Sequence, residues 1–281
     1  MAKLNGKCAF VTGSTDGVGR VVAARLAADG ASLLVHGRDR ARGEQLVAEI
    51  KNQGGAAEFL AADLASLRAV RGLAEAVQAR TERLDILINN AGIGTASGGA
   101  GRQVSADGHE LRFAVNYLSG FLLTHLLLPL LRASAPARIV NVASAGQQEI
   151  DFADVMLTRG YSGTRAYCQS KLAQIMFAID LAETLKGSGI TVNALHPATY
   201  MNTTMVRAAG VTPWSSVEEG AEAILNLAAE PALEGRSGLY FNGLNEARAN
   251  RQAYDAEARH RLRDISGKLT EPFAQALSGG A

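Results

Sequence analysis

Short apolar runs of strand length alternate with segments of helical spacing along almost the whole chain. Cys8-Ala9-Phe10-Val11 precedes a helical pattern over 18–29, Leu33-Leu34-Val35 one over 40–52, and Ala57-Glu58-Phe59-Leu60 one over 67–80. Ile86-Leu87-Ile88 then leads into a long uncharged helical stretch. A fifth strand is expected over 138–142, a helix over 164–185, a sixth strand over 190–195, and a seventh at Leu239-Tyr240-Phe241. Continuous apolar strands between helices mark a sheet buried on both faces, which parallel sheets require. The pattern therefore predicts an α/β fold: a doubly wound, mainly parallel seven-stranded sheet of the Rossmann type with helices on both faces. Ligands are expected beyond the carboxyl ends of its strands.

Nothing in the pattern reads as a linker, so one dinucleotide-binding and catalytic domain over 1–281 is expected. The charged tail 246–269 carries Tyr254, Ala258, Leu262, Ile265 and Leu269 at spacings of three or four, the signature of an amphipathic helix docked on the body. No acidic or basic residue lies between Arg112 and Arg132, a window long enough to span a bilayer. Asn116, Tyr117, Ser119, Gly120, Thr124, His125 and Pro129 interrupt it, which favours a core helix and no membrane contact. The uncharged 113–131 surface exceeds what one sheet face needs, so a homodimer or homotetramer through this helix and that of Tyr167 is expected.

Composition narrows the function. The chain is 47% hydrophobic and 20% charged, with 28 basic against 27 acidic residues, and no basic block gives an electrostatic reason to bind nucleic acid. Cys8 and Cys168 are too few and too unpatterned for a disulfide framework or a metal site, and the first residues lack an apolar signal segment, so a cytoplasmic small-molecule enzyme without a metal is expected.

The first chemical motif is Thr12-Gly13-Ser14-Thr15-Asp16-Gly17-Val18-Gly19, where a strand ends and a helix begins. Glycines at 13, 17 and 19 allow a tight turn whose backbone N–H groups and helix N-terminus can meet a pyrophosphate, so Gly13, Ser14, Thr15, Asp16, Gly17, Val18 and Gly19 are expected to line a dinucleotide. Tyr167 and Lys171 lie four apart on a helix and share a face. A tyrosine titrating near pH 10 is a poor acid or base at neutrality, but an adjacent ammonium and an oxidised nicotinamide would favour phenolate.

The glycine turn resembles the T-G-x-x-x-G-x-G turn of the short-chain dehydrogenase/reductase family. Asn89-Asn90-Ala91-Gly92 after the fourth strand, Asn116, Ser144 and the Y-x-x-x-K of Tyr167 to Lys171 follow in that family's order over about 6–243. The spacing resembles the single-domain subtype. Gly37-Arg38-Asp39-Arg40-Ala41-Arg42-Gly43 and Ala166-Tyr167-Cys168-Gln169-Ser170-Lys171-Leu172-Ala173 look like its retinol-dehydrogenase-like branch. The resemblance implies hydride transfer between a nicotinamide and a carbonyl or secondary alcohol. Tyr167 would act as acid/base, Ser144 would hydrogen-bond the substrate oxygen, Lys171 would tune Tyr167 and hold the ribose, and Asn116 would position a water beside Lys171. A non-catalytic cofactor sensor or scaffold and a nicotinamide-using lyase or isomerase are the alternatives on this fold.

Cofactor choice turns on the second strand's end, where NAD-specific relatives carry an acid. Gly37 stands there and Arg38 follows, offering a planar fork for a 2′-phosphate. NADP(H) is preferred, with NAD(H) possible because Asp16 places a carboxylate in the glycine turn. Asp63 and Leu64 resemble the family's adenine contacts, with a helix cap as Asp63's competing role, and Asn90, Ala91 and Gly92 would flank the adenosine ribose. Pro197-Ala198-Thr199-Tyr200-Met201-Asn202-Thr203 stands where relatives have P-G-x-V-x-T, so Pro197, Ala198, Thr199 and Asn202 are expected at the nicotinamide, with Thr199, Asn202 or Thr203 sharing the contact of the family's threonine. Cys168 is expected to point off the Tyr–Lys face, and His196 to be structural. Segments 146–163 and 200–214 are the expected substrate walls; Ile150, Phe152, Met156, Tyr161, Tyr200, Met201, Met205 and Trp214 either line an apolar cleft or seal these loops.

Overall fold

The computed structural model describes residues 4–96 and 101–274. Its strands are β1 (Cys8–Val11), β2 (Ser32–Gly37), β3 (Ala56–Ala61), β4 (Ile86–Asn89), β5 (Ala137–Val142), β6 (Ile190–His196), β7 (Tyr240–Asn242) and β8 (Asn245–Ala247). Helices α1 (Gly17–Ala28), α2 (Arg40–Asn52), α3 (Leu67–Gln78), α4 (Ser119–Ala133), α5 (Gly163–Thr184), α6 (Thr204–Ala208), α7 (Val217–Ala229) and α8 (Ala256–Ala274) complete the frame. One sheet results, in the order β3-β2-β1-β4-β5-β6-β7-β8, parallel from β3 to β7. The chain winds outward from β1 in one direction and from β4 in the other. That reversal opens a crevice beyond the carboxyl ends of β1 and β4.

Successive strand residues feed opposite faces. Phe10, Leu34, Leu87, Ile139 and Val192 pack toward one layer with buried residues of α3, α4, α5 and α8, whereas Ala9, Val11, Leu33, Ile88 and Val140 pack toward α1, α2 and α7. The doubly wound expectation holds with one correction: the sheet has eight strands. Gly243, at φ +58°, permits a two-residue turn with Leu244 that folds β8 back antiparallel on β7, with Asn242 opposite Asn245. Three residues within a charged tail are too few to show the alternation of a strand.

The tail differs from its outline in a second way, because residues 246–255 hold β8 and a short 3₁₀ turn (Arg251–Tyr254) before α8 begins. Ala258, Leu262, Ser266 and Thr270 of α8 are buried. Tyr117 Oη and Ser266 Oγ lie 2.8 Å apart in the interior, Arg263 Nη1 donates to both Asp180 carboxylate oxygens, and Arg259 Nη2 donates to Glu183. Helix α8 thus packs on part of the uncharged 113–131 surface, while His125 and Pro129 stay exposed. Phe113–Ala133 is long and apolar enough to cross a membrane by composition, and 72% of its most apolar window is buried inside this fold.

Candidate active site

Tyr167 and Lys171 stand one turn apart near the start of α5, whose N-cap Ser162 accepts from Arg165 N–H. Lys171 is buried; its Nζ donates to Val142 O at the end of β5 and to Gln174 Oε1, both at 2.9 Å, and lies 5.8 Å from the centre of the Tyr167 ring. Ser144 follows β5 after Ala143. A β-carbon placed on Gly146 would stand 3.6 Å from Ser144 Oγ, 3.7 Å from Tyr167 Cε1 and 3.4 Å from Cys168 Sγ, so a side chain there would crowd the space these groups share. Cys168 Sγ faces Gly146, and Cys168 makes no hydrogen bond with Lys171 among the described residues.

Burial governs the electrostatics. It pushes the Lys171 ammonium down to about 7 and raises the Tyr167 phenol above its ordinary value, with Ser144 partly offsetting the latter. Burial is the largest cause for Tyr167; the expected lowering called for an oxidised nicotinamide as well as the ammonium.

Asn116 sits in a π-turn, Phe113–Leu118, where Ser119 N–H reaches back to Ala114 O. Its Oδ1 accepts from Ile93 N–H at 2.7 Å, and its Nδ2 donates to Ile93 O and Ser170 Oγ. The side chain thereby clamps the loop after β4 over Lys171. A cavity of about 10 Å³ lies alongside, lined by Thr12, Asn89, Asn116, Ser119 and Gln174 among others. Asn89 Oδ1 is buried there without a hydrogen-bond partner. That volume and polar lining suit one water.

The glycine turn is braced from three strands. Gly13 N–H donates to His36 Nδ1 (3.1 Å), while His36 Nε2 stands 3.2 Å from Ala62 O, which fixes a neutral ring whose titration burial pushes down to about 4. Thr12 Oγ1 accepts from Asn90 and Ala91 N–H, and Asn90 Nδ2 donates to Thr12 O and Gly13 O. Ser14 is fully buried, with its N–H on His36 O and its hydroxyl between Val11 O and His36 N–H, so these groups brace the turn. The glycines answer to close approach. A β-carbon on Gly19 would lie 2.3 Å from Gly13 O and 2.4 Å from Asn90 Nδ2, and one on Gly13 would lie 2.8 Å from Ala91 Cα.

At the adenosine end, a β-carbon on Gly37 would stand 2.5 Å from Thr15 Oγ1, so Thr15 occupies the space an acid would need. Arg38 is exposed and makes no ion pair among the described residues. Asp16 caps Gly17 N–H at 2.7 Å and faces Arg42 Nη1 at 3.5 Å. Leu64 is buried and Asp63 exposed, its Oδ1 accepting from Ala65 N–H; the α3 cap is Ser66, so Asp63 does not cap the helix.

Beyond β6, Pro197 is buried, Ala198 is half-buried, and Thr199 Oγ1 and His196 Nε2 lie 3.0 Å apart. Asn202 is exposed and engaged by Arg207 Nε (2.9 Å). Thr203, capping α6, is the residue that reaches the turn, its methyl 3.3 Å from a β-carbon placed on Gly17. The apolar wall residues also divide. Phe152 lies under Arg261, Met156 Sδ accepts from Glu110 N–H, and Met201 packs against Gly220, so these seal loops. Tyr200, Met205 and Trp214 are exposed. Sequence reasoning also missed Thr12, His36 and Gln174, whose contacts are all long-range in the chain or internal to one helix face.

A glycine-braced crevice at the reversal of a parallel sheet, with Ser, Tyr and Lys beside it, defines a nucleotide-binding oxidoreductase. The chain belongs to the short chain dehydrogenase family, whose profile matches residues 7–213, and is thus an NAD(P)-dependent oxidoreductase. It falls in the retinol-dehydrogenase-like branch. It is 38% identical to retinol dehydrogenase 13 of Homo sapiens over 95% of this chain and 86% of that one, and 37% identical to retinol dehydrogenase 14 of Mus musculus over 94% and 85%. Among solved structures it is similar to the Pseudomonas aeruginosa RhlG/NADP active-site complex (TM-score 0.69, 31% identity, 85% of this chain and 95% of that one). A short chain dehydrogenase from Burkholderia cenocepacia in complex with NADP matches at TM-score 0.69 and 28% identity, over 85% and 97%.

Proposed function

We propose that this protein transfers hydride between NADP(H) and an apolar carbonyl or secondary alcohol, with Tyr167 as the acid/base. The observation that carries this reading is the convergence of Tyr167, Ser144 and Gly146 beside a buried Lys171 at the carboxyl edge of β5. The glycine cradle fits a dinucleotide because Cβ atoms at 13 and 19 would fill it. Bound nicotinamide supplies or accepts the hydride. In reduction Tyr167 gives its proton to the carbonyl oxygen, which Ser144 holds by donating a hydrogen bond; in oxidation Tyr167 takes the hydroxyl proton. Lys171, with one ammonium hydrogen left beyond Val142 O and Gln174 Oε1, holds the ribose side, and a water in the Asn116 cavity links it to the interior.

NADP(H) over NAD(H) is favoured by three features: Thr15 fills the place of an acid, Arg38 is free to meet a 2′-phosphate, and Arg42 offsets Asp16. The relatives named as NADP complexes support the same choice. An apolar substrate is supported by the relatives named retinol dehydrogenases and by exposed Tyr200, Met205 and Trp214. The chain is read as a single catalytic domain in the cytoplasm, with Phe113–Ala133 as a core helix. A homodimer or homotetramer through the parts of the Asn116 and Tyr167 helices that α8 leaves open belongs to the same reading.

Fluorescence titration with NADPH and NADH, followed by turnover on a diverse carbonyl and alcohol panel, tests the proposal. Tyr167→Phe is expected to lower kcat by about 10²–10⁴-fold while NADPH affinity stays at the wild-type level. Binding without any turnover would favour a sensor, and product without net change in nicotinamide absorbance a lyase or isomerase.

A further inference from the structure

A charged cluster that this chemistry does not use lies against the site. Arg112 is fully buried, at 0% exposure, and so is its partner Glu110 at 1%, with Arg112 Nη1 and Glu110 Oε1 3.6 Å apart. Burying such a pair is costly unless its geometry is over-determined, and here it is. Arg112 Nε donates to Gly94 O (3.0 Å), Nη2 to Thr95 O (2.6 Å) and Nη1 to Tyr161 Oη (2.5 Å). Tyr161 in turn donates to Glu110 Oε1 (3.1 Å), and Glu110 Oε2 accepts Phe113 N–H (2.7 Å) at the head of the π-turn.

These bonds join three segments around the reacting centre. Gly94 and Thr95 follow Ile93, which Asn116 holds, in the same loop. The α-carbon of Gly92 in that loop faces Lys171: a β-carbon there would lie 3.5 Å from Nζ and 3.2 Å from Asn116 Oδ1. Phe113 opens the π-turn that carries Asn116. Tyr161 precedes the cap of α5, and Gly163, the first residue of that helix, lies so close that its β-carbon would strike Thr95 O at 2.5 Å and approach Arg112 Nη2 at 3.2 Å.

We infer that Arg112, with Glu110 and Tyr161, is a positioning residue that sets the Gly92–Thr95 loop against Lys171 and the Tyr167 end of α5. This rests on the hydride-transfer reading for its effect on turnover, but its effect on cofactor affinity does not. The guanidinium is the right group because a planar fork can serve two consecutive carbonyls and a phenol together, which an ammonium cannot.

The test compares Arg112→Lys, Arg112→Ala and Tyr161→Phe in the full chain by thermal melting, NADPH titration and steady-state turnover. Arg112→Ala is expected to lose about 10²-fold in kcat and several-fold in NADPH affinity, with both partly restored by added guanidinium but not by added ammonium. Arg112→Lys is expected to behave like Arg112→Ala without rescue. Tyr161→Phe, which keeps both charges and the ring, is expected to lose several-fold in kcat with a near wild-type melting temperature, and it decides the matter if Arg112→Ala does not fold. Folded variants with wild-type kcat and NADPH affinity would overturn the inference, as would losses that only track the folded fraction and resist guanidinium. If the wild-type enzyme binds NADPH yet turns over nothing, the proposed reaction fails while the affinity and rescue measurements still judge Arg112.

Discussion

The glycine turn and the segment 199–214 face each other across the same crevice and are built in opposite ways. In the turn, His36, Asn90 and Thr12 hold the backbone from β2 and the loop after β4, and Ser14 is locked between two strands. The facing segment has a five-residue helix, α6, with no buried residue, a strained Tyr200 at φ +46°, and Trp214 at 76% exposure. Its ties include Thr199 to His196, Met201 on Gly220, Thr203 over Gly17, Met205 over Gly94, Asn202 N–H to Ser215 O, Trp214 N–H to Tyr200 O, and an edge-to-face pair of Tyr200 and Trp214 rings at 5.3 Å. A constant ligand rewards a prebuilt cradle, whereas the substrate side is left with the low contact density typical of recognition loops.

The largest effect expected from this contrast comes from the smallest change. Gly19 lies in the first turn of α1, where alanine would ordinarily favour a helix by about 1 kcal/mol. Its methyl would instead meet Gly13 O and Asn90 Nδ2 at 2.3 and 2.4 Å, and overpacking of that kind costs about 1–3 kcal/mol. Gly19→Ala should therefore weaken NADPH binding by roughly 10- to 100-fold in a folded protein, measured by fluorescence titration. Wild-type affinity would mean the turn is as yielding as the loop opposite.

This rigid half was also the legible half. Glycine spacing and Tyr167 to Lys171 are local patterns whose meaning survives without coordinates, and the strand runs were apolar enough to order seven of the eight strands. What was hidden depends on residues far apart in sequence. His36 reads as one more strand residue until β2 lies beside the turn, and Asp16 reads as a repellent until Arg42 arrives from α2. Arg112 reads as the solvent edge of an uncharged helix, because a charge flanking an apolar run is usually exposed; only the fold brings Tyr161 and two carbonyls to it. The choice among Thr199, Asn202 and Thr203 was open in the sequence for a different reason, since motif matching by position cannot show that Arg207 of α6 donates to Asn202 while Thr203 lies over Gly17.

A second prediction concerns the cost of keeping the rigid half poised. Burial holds the Lys171 ammonium at about 7, against an ordinary value of 10.5. Between those values the unfolded chain binds more protons than the folded one, so this group's contribution makes the cofactor-free protein gain stability as pH rises from about 7 toward 10.5; below 7 the penalty of a buried charge is fully present. Lys171→Met should accordingly raise the melting stability of the cofactor-free protein at pH 6 by about 1–3 kcal/mol, allowing for the acceptors left at Val142 and Gln174, and the gain should shrink toward pH 10. A variant less stable at every pH would show Lys171 to be a structural anchor and not a strained functional group.

Smaller effects separate the two ends of the cofactor cradle. Arg38→Ala removes an exposed guanidinium that pairs with no neighbour among the described residues, so folding should be unaffected within about 0.5 kcal/mol. NADPH affinity should fall about tenfold, or 1.4 kcal/mol, and NADH affinity should hardly change. Equal losses for both cofactors would place Arg38 on the shared adenosine and not on the 2′-phosphate.

The smallest expected effect, and the sharpest check on the contrast, is at Trp214. Its ring is exposed and rests on Tyr200 alone among aromatic neighbours, so Trp214→Ala should leave the melting temperature and NADPH affinity at wild-type values. An aromatic pair of this kind contributes about 0.5–1.5 kcal/mol, which sets a ceiling on how well it can order the segment. KM for bulky apolar substrates should rise a few-fold, while kcat and the KM of small carbonyls stay put. That split matters because a ring that merely shields the crevice from water would change kcat for every substrate alike. A uniform loss of kcat, or a fall in NADPH affinity to match that of Gly19→Ala, would mean that segment 199–214 belongs to the rigid cradle after all, and that its open packing does not mark the place where substrates are told apart.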